Sequence, residues 1–167
     1  MARSGIPYRD PPEHGEGASA RCRYPLRMAS VFTMIINGEL PGRFVWKDDR
    51  CVAFLSINPL APGHTLVVPR AEIDHWIDVD DELLQHLVDV SKKIGAALNL
   101  GFNPVKVGMM IAGLEVPHAH IHLVPMAGEH DLDADNANLA PNPDDLDAAA
   151  DRVRAALTAL GHPEVSD

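Results

Sequence analysis

The segment Val116-Pro-His118-Ala-His120-Ile-His122-Leu-Val-Pro125 constrains the fold more than any other part of the chain. Polar and apolar residues alternate one for one, the period of a β-strand with one face turned to a core. That alternation puts His118, His120 and His122 on one face and Ala119, Ile121 and Leu123 on the other. Burying an imidazole is costly unless both ring nitrogens find partners, so three in register point to a site rather than to packing.

Two chemistries fit such a row. Neutral imidazole is a common metal ligand. Neighbouring same-face residues lie about 6.6 Å apart along a strand, so two of the three could share an ion. The outer pair, about 13 Å apart, could not easily converge, and a metal would need further ligands such as His64 or an acid. The second chemistry is attack on phosphorus. One ring supplies a lone pair while its neighbours donate hydrogen bonds or a proton, and histidine changes charge near neutral pH.

Composition narrows the partners. The 167-residue chain carries 24 acidic and 14 basic residues, a net charge of −10. That excludes a basic face for duplex DNA or an anionic membrane. Aromatics are only 5%, too few for platforms that stack single-stranded nucleic acid. Cys22 and Cys51 stand apart, with no CxxC pair to suggest a disulfide scaffold or a cysteine-based zinc site. The longest charge-free stretch, Cys51 to Pro69, is broken by Pro59, Pro62 and Gly63, and residues 1–30 lack an apolar signal segment. A soluble, cytoplasmic protein is the expectation.

The charge is unevenly placed. Residues 1–30 hold five Arg against Asp10, Glu13 and Glu16, and their Pro and Gly content without periodicity reads as a disordered extension. Residues 31–126 form the packed body. Val31 to Ile36 ends at Asn37-Gly38 as a short helix or strand end. Phe44-Val-Trp46 and Cys51 to Leu55 flank the turn Asp48-Asp49-Arg50 as a hairpin, and His64 to Pro69 follows as a strand. Leu83, Leu84, Leu87, Val88, Ser91, Ile94, Gly95 and Leu98 repeat at helical spacing. Val105 to Ala112 and His118 to Val124 complete the strands. The fold class is α+β: a small antiparallel sheet with one long helix. Residues 127–167 carry ten acids against Arg152 and Arg154, and Asn142-Pro143 opens a C-terminal helix with the stripe Leu146, Ala150, Val153, Leu157 and Leu160, ended by Gly161. The acids read as a solvated segment plus the start of that helix.

His118-Ala-His120-Ile-His122-Leu-Val124 matches without a mismatch the histidine triad (HIT) motif, His-φ-His-φ-His-φ-φ. Phe54-Leu-Ser-Ile-Asn-Pro59 through Gly63-His64 to Pro69 resembles the family's second block, and Val31-Phe32 to Leu40-Pro41 its opening. The resemblance implies a HIT-like fold over residues 31–126, a homodimer through the long helix and adjoining sheet, and no metal or other cofactor. It further implies a hydrolase or transferase that cleaves a nucleoside monophosphoryl bond, of a phosphoramidate or dinucleoside polyphosphate, through a nucleotidyl-histidine intermediate. In that scheme His120 attacks phosphorus, His122 binds phosphate and assists the leaving group, His118 orients the nucleophile, and His64 is the fourth active-site histidine. Phe32, Ile35, Leu40, Phe54 and Ile57 would wall the base pocket. The partner would be a small nucleotide, with neither nucleic acid nor membrane.

The chain departs from the family pattern at four places. Ser56 stands where Asp often accepts the ribose hydroxyls, Val107 where Asn is common, and Leu114 and Glu115 where polar phosphate-side residues occur. Those departures keep a non-catalytic nucleotide-binding module open as an alternative, with a His-ligated metalloprotein behind it.

Overall fold

The computed structural model describes residues 29–165. The extension read over residues 1–30 lies outside the described residues except for its last two. Of these, Ser30 is buried and caps the first helix, α1 (Val31–Ile36), its Oγ accepting the Thr33 amide. This supplies an acceptor to one of the amides that a helix start leaves unpaired.

The expected hairpin is present. β1 (Phe44–Lys47) and β2 (Cys51–Leu55) pair antiparallel across a turn in which the Asp48 carboxylate accepts the Arg50 and Cys51 amides. β3 (Thr65–Pro69) follows, then α2 (Asp81–Phe102), capped by the Asp80 carboxylate on the Leu83 amide. β4 (Lys106–Met110) and β5 (Ile121–Met126) complete one antiparallel sheet of order β1-β2-β3-β5-β4. Two single-turn 3-10 segments, Glu129–Leu132 and Ala134–Asn136, lead to α3 (Pro143–Ala159), capped by Asn142. The fold is α+β, as its periodicities require.

Each face of the sheet buries a separate cluster. On one face Val45, Ala53, Val67, Ile121 and Leu123 pack under α2 and α3 with Leu87, Ile94, Leu98 and Val153. On the other, Val52, Phe54, Leu66 and Val68 pack against Phe32 and Ile35 of α1. Residues opposite each other in an antiparallel pair share a face. The pairs Val67–Ile121 and Leu66–His122 therefore put Ile121 under the helices and His122 on the α1 face. Among the described residues no helix is long and apolar enough to cross a membrane.

Two strands differ from their expected bounds. β4 stops at Met110 rather than Ala112, and β5 begins at Ile121 rather than His118. The reason for the second lies in the backbone partners of the preceding residues. The His118 amide turns onto the Val116 carbonyl, and the Ala119 amide bonds to Ile73, so neither joins the sheet ladder.

Gly63 joins the helix layer to the loop that precedes His64. Its φ is +88°, and a Cβ there would lie 2.7 Å from a Phe102 ring carbon and 3.1 Å from Leu98. A side chain would meet both backbone strain and the end of α2. Gly63→Ala is expected to cost about 2 kcal/mol or more of stability, read by urea unfolding at neutral pH. An unchanged midpoint would refute this account of the loop.

Candidate active site

Four imidazoles converge on the α1 face, and backbone groups decide where their protons sit. An amide can only donate a hydrogen bond and a carbonyl can only accept one. Nδ1 of His64 lies 3.1 Å from the Leu60 amide and must accept, so the neutral ring carries its proton on Nε2. That Nε2–H donates to Nδ1 of His122 at 3.0 Å, which leaves His122 with its own proton on Nε2. His120 is set the opposite way. Its Nδ1 lies 2.8 Å from the His118 carbonyl and must donate, so the Nε2 lone pair is free.

The rings of His120 and His122 are close neighbours, with centroids 4.6 Å apart. The Phe32 ring meets His120 edge-on at 4.9 Å. Burial holds all four imidazoles neutral. It pushes His64 down to about 3, with His122 and His120 adding to the effect. It pushes His122 down to about 4, with His120 adding to the effect. Burial also lowers His118 and His120, although the bond to the His118 carbonyl, and after it the Glu115 carboxylate, pull His120 partly back up.

His118 is fully buried and stands one layer behind the others. Its Nε2 donates to the Pro69 carbonyl at 2.8 Å, so its Nδ1 must accept, and it does so from the Ser30 hydroxyl at 2.8 Å. His118 therefore orients His120 through its backbone carbonyl and not through its ring. Ser30, Thr33 and Glu72 were invisible as part of this arrangement in the sequence. The only local signal was the helix-cap pattern of Ser30 three residues before Thr33, and Glu72 comes from a different loop.

Phe32, Ile35, Leu40 and Phe54 lie together in the cluster on the imidazole face, joined by Phe44 and Val116. Ile57 stands apart from it, 66% exposed. Ser56 sits on the same loop as His64; its amide donates to the His64 carbonyl and its Oγ accepts the Asn58 amide at 3.3 Å. Leu114 is 95% exposed. It borders a cavity of about 170 Å³ with Asp74, His75, Trp76, Ile111, Ala112, Gly113 and Ala119, which includes none of the four imidazoles. Val107 packs on the opposite face of the sheet, in the cluster under the helices.

Among the described residues no arginine bonds to these four imidazoles. Arg43 pairs with Asp147, Arg50 with His86, Arg70 with the Asp48 carbonyl, and Arg154 with Asp151 and the Phe44 carbonyl. The acidic segment also approaches the site, since the Asn138 amide bonds to the Pro59 carbonyl at 3.0 Å, one residue before Leu60.

The metal reading fares poorly on proton placement. Of the ring nitrogens in the row, only Nε2 of His120 offers a lone pair without a partner among the bonds described above. Elsewhere, Asp48, Cys51 and His86 place one ligand atom each within 4.8 Å of one another. There, however, Arg50 donates to Nδ1 of His86 at 2.6 Å, which puts the proton on the Nε2 that bonds Asp48. Burial and the Asp48 charge push the Cys51 thiol well above its usual range, so it stays protonated. Asp48 itself is held well below the ordinary carboxylate range: burial opposes this, but bonds from Trp46, Cys51, Arg50 and His86 outweigh it. A neutral donor, a thiol and a saturated carboxylate do not make a cation site.

The HIT domain model matches residues 37–129. The chain belongs to the HIT family. It is 41% identical over 99 residues to an uncharacterized HIT-like protein of Methanocaldococcus jannaschii, across 57% of this chain and 77% of that relative. It is 33% identical over 105 residues to the adenosine 5'-monophosphoramidase of Saccharomyces cerevisiae, across 62% of this chain and 66% of the yeast protein. Among solved structures, a HIT-like protein from Bartonella henselae superposes with a TM-score of 0.68 at 30% identity, covering 76% of this chain and 95% of its own. A zinc-bound histidine triad family protein from Mycobacterium smegmatis gives 0.69 at 26% identity, covering 80% and 96%.

The buried neutral pair makes stability depend on pH. The unfolded imidazoles take protons at about 6.5, whereas His64 and His122 in the fold resist them down to about 3 and about 4. Between those limits the unfolded chain binds more protons, so stability is complete above pH 6.5 and falls on acidification. From pH 6.5 to 5, His64 alone should lose about 2 kcal/mol. Urea unfolding at the two pH values measures this, and His64→Asn should flatten the dependence; an equal slope in the variant would contradict it.

Proposed function

We propose that this chain hydrolyses or transfers a nucleoside monophosphoryl group with His120 as the nucleophile. The observation that carries the reading is the bond from Nδ1–H of His120 to the His118 carbonyl, which reserves the Nε2 lone pair for attack. In the step proposed, Nε2 forms a bond to the α-phosphorus, and the bond to the leaving group breaks with its electron pair on that group, which takes up a proton. Water then attacks the same phosphorus, and the N–P electron pair returns to Nε2.

His122 keeps an Nε2–H for a phosphoryl oxygen because His64 occupies its other nitrogen. Neutral imidazole and backbone N–H groups thus take the place of a basic patch, and preorganised donors of this kind stabilise developing charge without reorganising. The base rests against Phe32, Ile35, Leu40 and Phe54, with Ile57 and Leu114 as exposed outer contacts and Ser56 toward the ribose. Phosphoramidates and dinucleoside polyphosphates are the substrate classes of this reading; the kinship with a yeast phosphoramidase supports the first.

A homodimer in the cytoplasm belongs to the same reading. β4 is an edge strand with Met109 exposed, flanked by exposed Val105, and α2 exposes Val88 and Leu100, which together offer apolar surface along the sheet edge and long helix.

His120→Ala is expected to reduce turnover by at least about 10⁴-fold while the chain stays folded. Quenching the wild-type protein in alkaline denaturant with radiolabelled nucleotide should trap an adduct, labile to later acid treatment, that the variant lacks. Binding without any adduct would favour a nucleotide-holding module instead. The acidic limb of kcat/KM should lie below pH 6.5, because burial keeps His120 deprotonated to lower pH than a free imidazole. A limb at or above 6.5 would show that a different group limits the reaction.

A further inference from the structure

Behind the nucleophile lies a polar cluster that the reaction scheme does not use. Glu72, on the loop after β3, receives the Thr33 hydroxyl and, at 2.9 Å, the Ser30 amide. Ser30 Oγ lies 3.1 Å from Thr33 Oγ1 and 2.8 Å from Nδ1 of His118, and Thr33 Oγ1 lies 3.5 Å from that same nitrogen. These bonds hold Glu72 below the usual carboxylate range, the Thr33 hydroxyl first and the Ser30 amide second.

Proton placement in the cluster follows from which atoms can only accept. A carboxylate has no proton to give, so the hydroxyl of Thr33 points to Glu72. Nε2 of His118 spends its proton on the Pro69 carbonyl, so Nδ1 needs a donor, and Ser30 is the hydroxyl left to serve. With both ring nitrogens engaged, the His118 ring cannot turn, and the carbonyl of the same residue meets Nδ1–H of His120 at 2.8 Å. Without the acceptor at 72, the Thr33 hydroxyl can compete for Nδ1 of His118 or for Ser30, and the proton order behind His120 loosens.

We propose that Glu72 is a positioning residue for His120: by accepting the Thr33 hydroxyl and the Ser30 amide it leaves the Ser30 hydroxyl as the donor to Nδ1 of His118. This rests on His120 being the nucleophile. The role is that of an acceptor rather than of a counter-charge, because Glu72 touches the hydroxyl and amide donors and not the reacting ring.

The test compares Glu72→Ala with Glu72→Gln, whose amide oxygen can still accept from Thr33. In Glu72→Ala, kcat should fall about tenfold with KM changed less than about twofold, the scale of one lost hydrogen bond to a charged group. Glu72→Gln should recover to within about threefold of wild type. Long-range ¹H–¹⁵N NMR of the full chain should show His118 protonated on Nε2 and His120 on Nδ1. Glu72→Ala should move the Nδ1 resonance of His118, whose donor is no longer fixed, while Nε2 stays protonated on the Pro69 carbonyl, and Glu72→Gln should not. Should Glu72→Ala fail to fold, Glu72→Gln still tests the acceptor role, and Thr33→Val, which removes the competing hydroxyl and leaves Ser30 on Nδ1 of His118, should keep kcat within about threefold of wild type with the His118 Nδ1 shift in place.

Unchanged kcat and His118 Nδ1 shift in Glu72→Ala would overturn the proposal, as would an about tenfold loss of kcat in Thr33→Val. So would a Glu72→Gln variant as impaired as Glu72→Ala, since charge would then be what matters. The NMR arm needs no substrate. A moved His118 Nδ1 shift in a chain that turns nothing over would uphold the role of Glu72 and remove the nucleophile reading. Intact turnover in Glu72→Ala with an unmoved Nδ1 shift would do the opposite.

Discussion

The arrangement rests on a simple asymmetry: a backbone amide can only donate and a backbone carbonyl can only accept. An isolated neutral imidazole chooses between two tautomers, and a row of four could adopt many proton patterns. Here the Leu60 amide, the Pro69 carbonyl and the His118 carbonyl each remove one choice. Burial removes the charged forms as well, keeping His64 and His122 neutral far into the acid range. What survives is a single pattern in which His120 presents a lone pair and His122 presents a proton.

The fold's contribution is to bring those three backbone groups to the same place. Leu60 lies on the loop between β2 and β3, Pro69 ends β3, and His118 sits just before β5. β3 and β5 are neighbours in the sheet, so their ends meet without long connections. α1 closes the same face, its Phe32 ring against His120 and its Ser30 cap against His118. A helix cap here serves two purposes, satisfying the helix start and holding a buried histidine.

Charge is distributed with the same economy. The chain's acid excess is concentrated after residue 126, and that segment reaches the site at Pro59 through Asn138. The basic side chains near the sheet are engaged in bonds to α3, to the β1–β2 turn and to His86. Among the described residues the site therefore presents neutral donors beside an acidic segment.

Much of this was legible in the sequence. Alternation identified the imidazole face, periodicity identified α2 and α3, and Asn142-Pro143 marked the start of α3. Those signals are local, because side-chain period and capping depend on residues a few positions apart. His64 and His122 are hydrogen-bonded, His120 bonds the His118 carbonyl, and Phe32, Ile35, Leu40 and Phe54 share one cluster on that face. Tertiary structure decided the rest. It began β5 at Ile121, because the Ala119 amide found Ile73, and turned Val107 away from the imidazoles. It also placed Glu72 beside Ser30, residues 42 positions apart in the chain. Tautomers belong to this second group throughout, since a proton's place on a ring depends on which distant backbone group the fold sets against it.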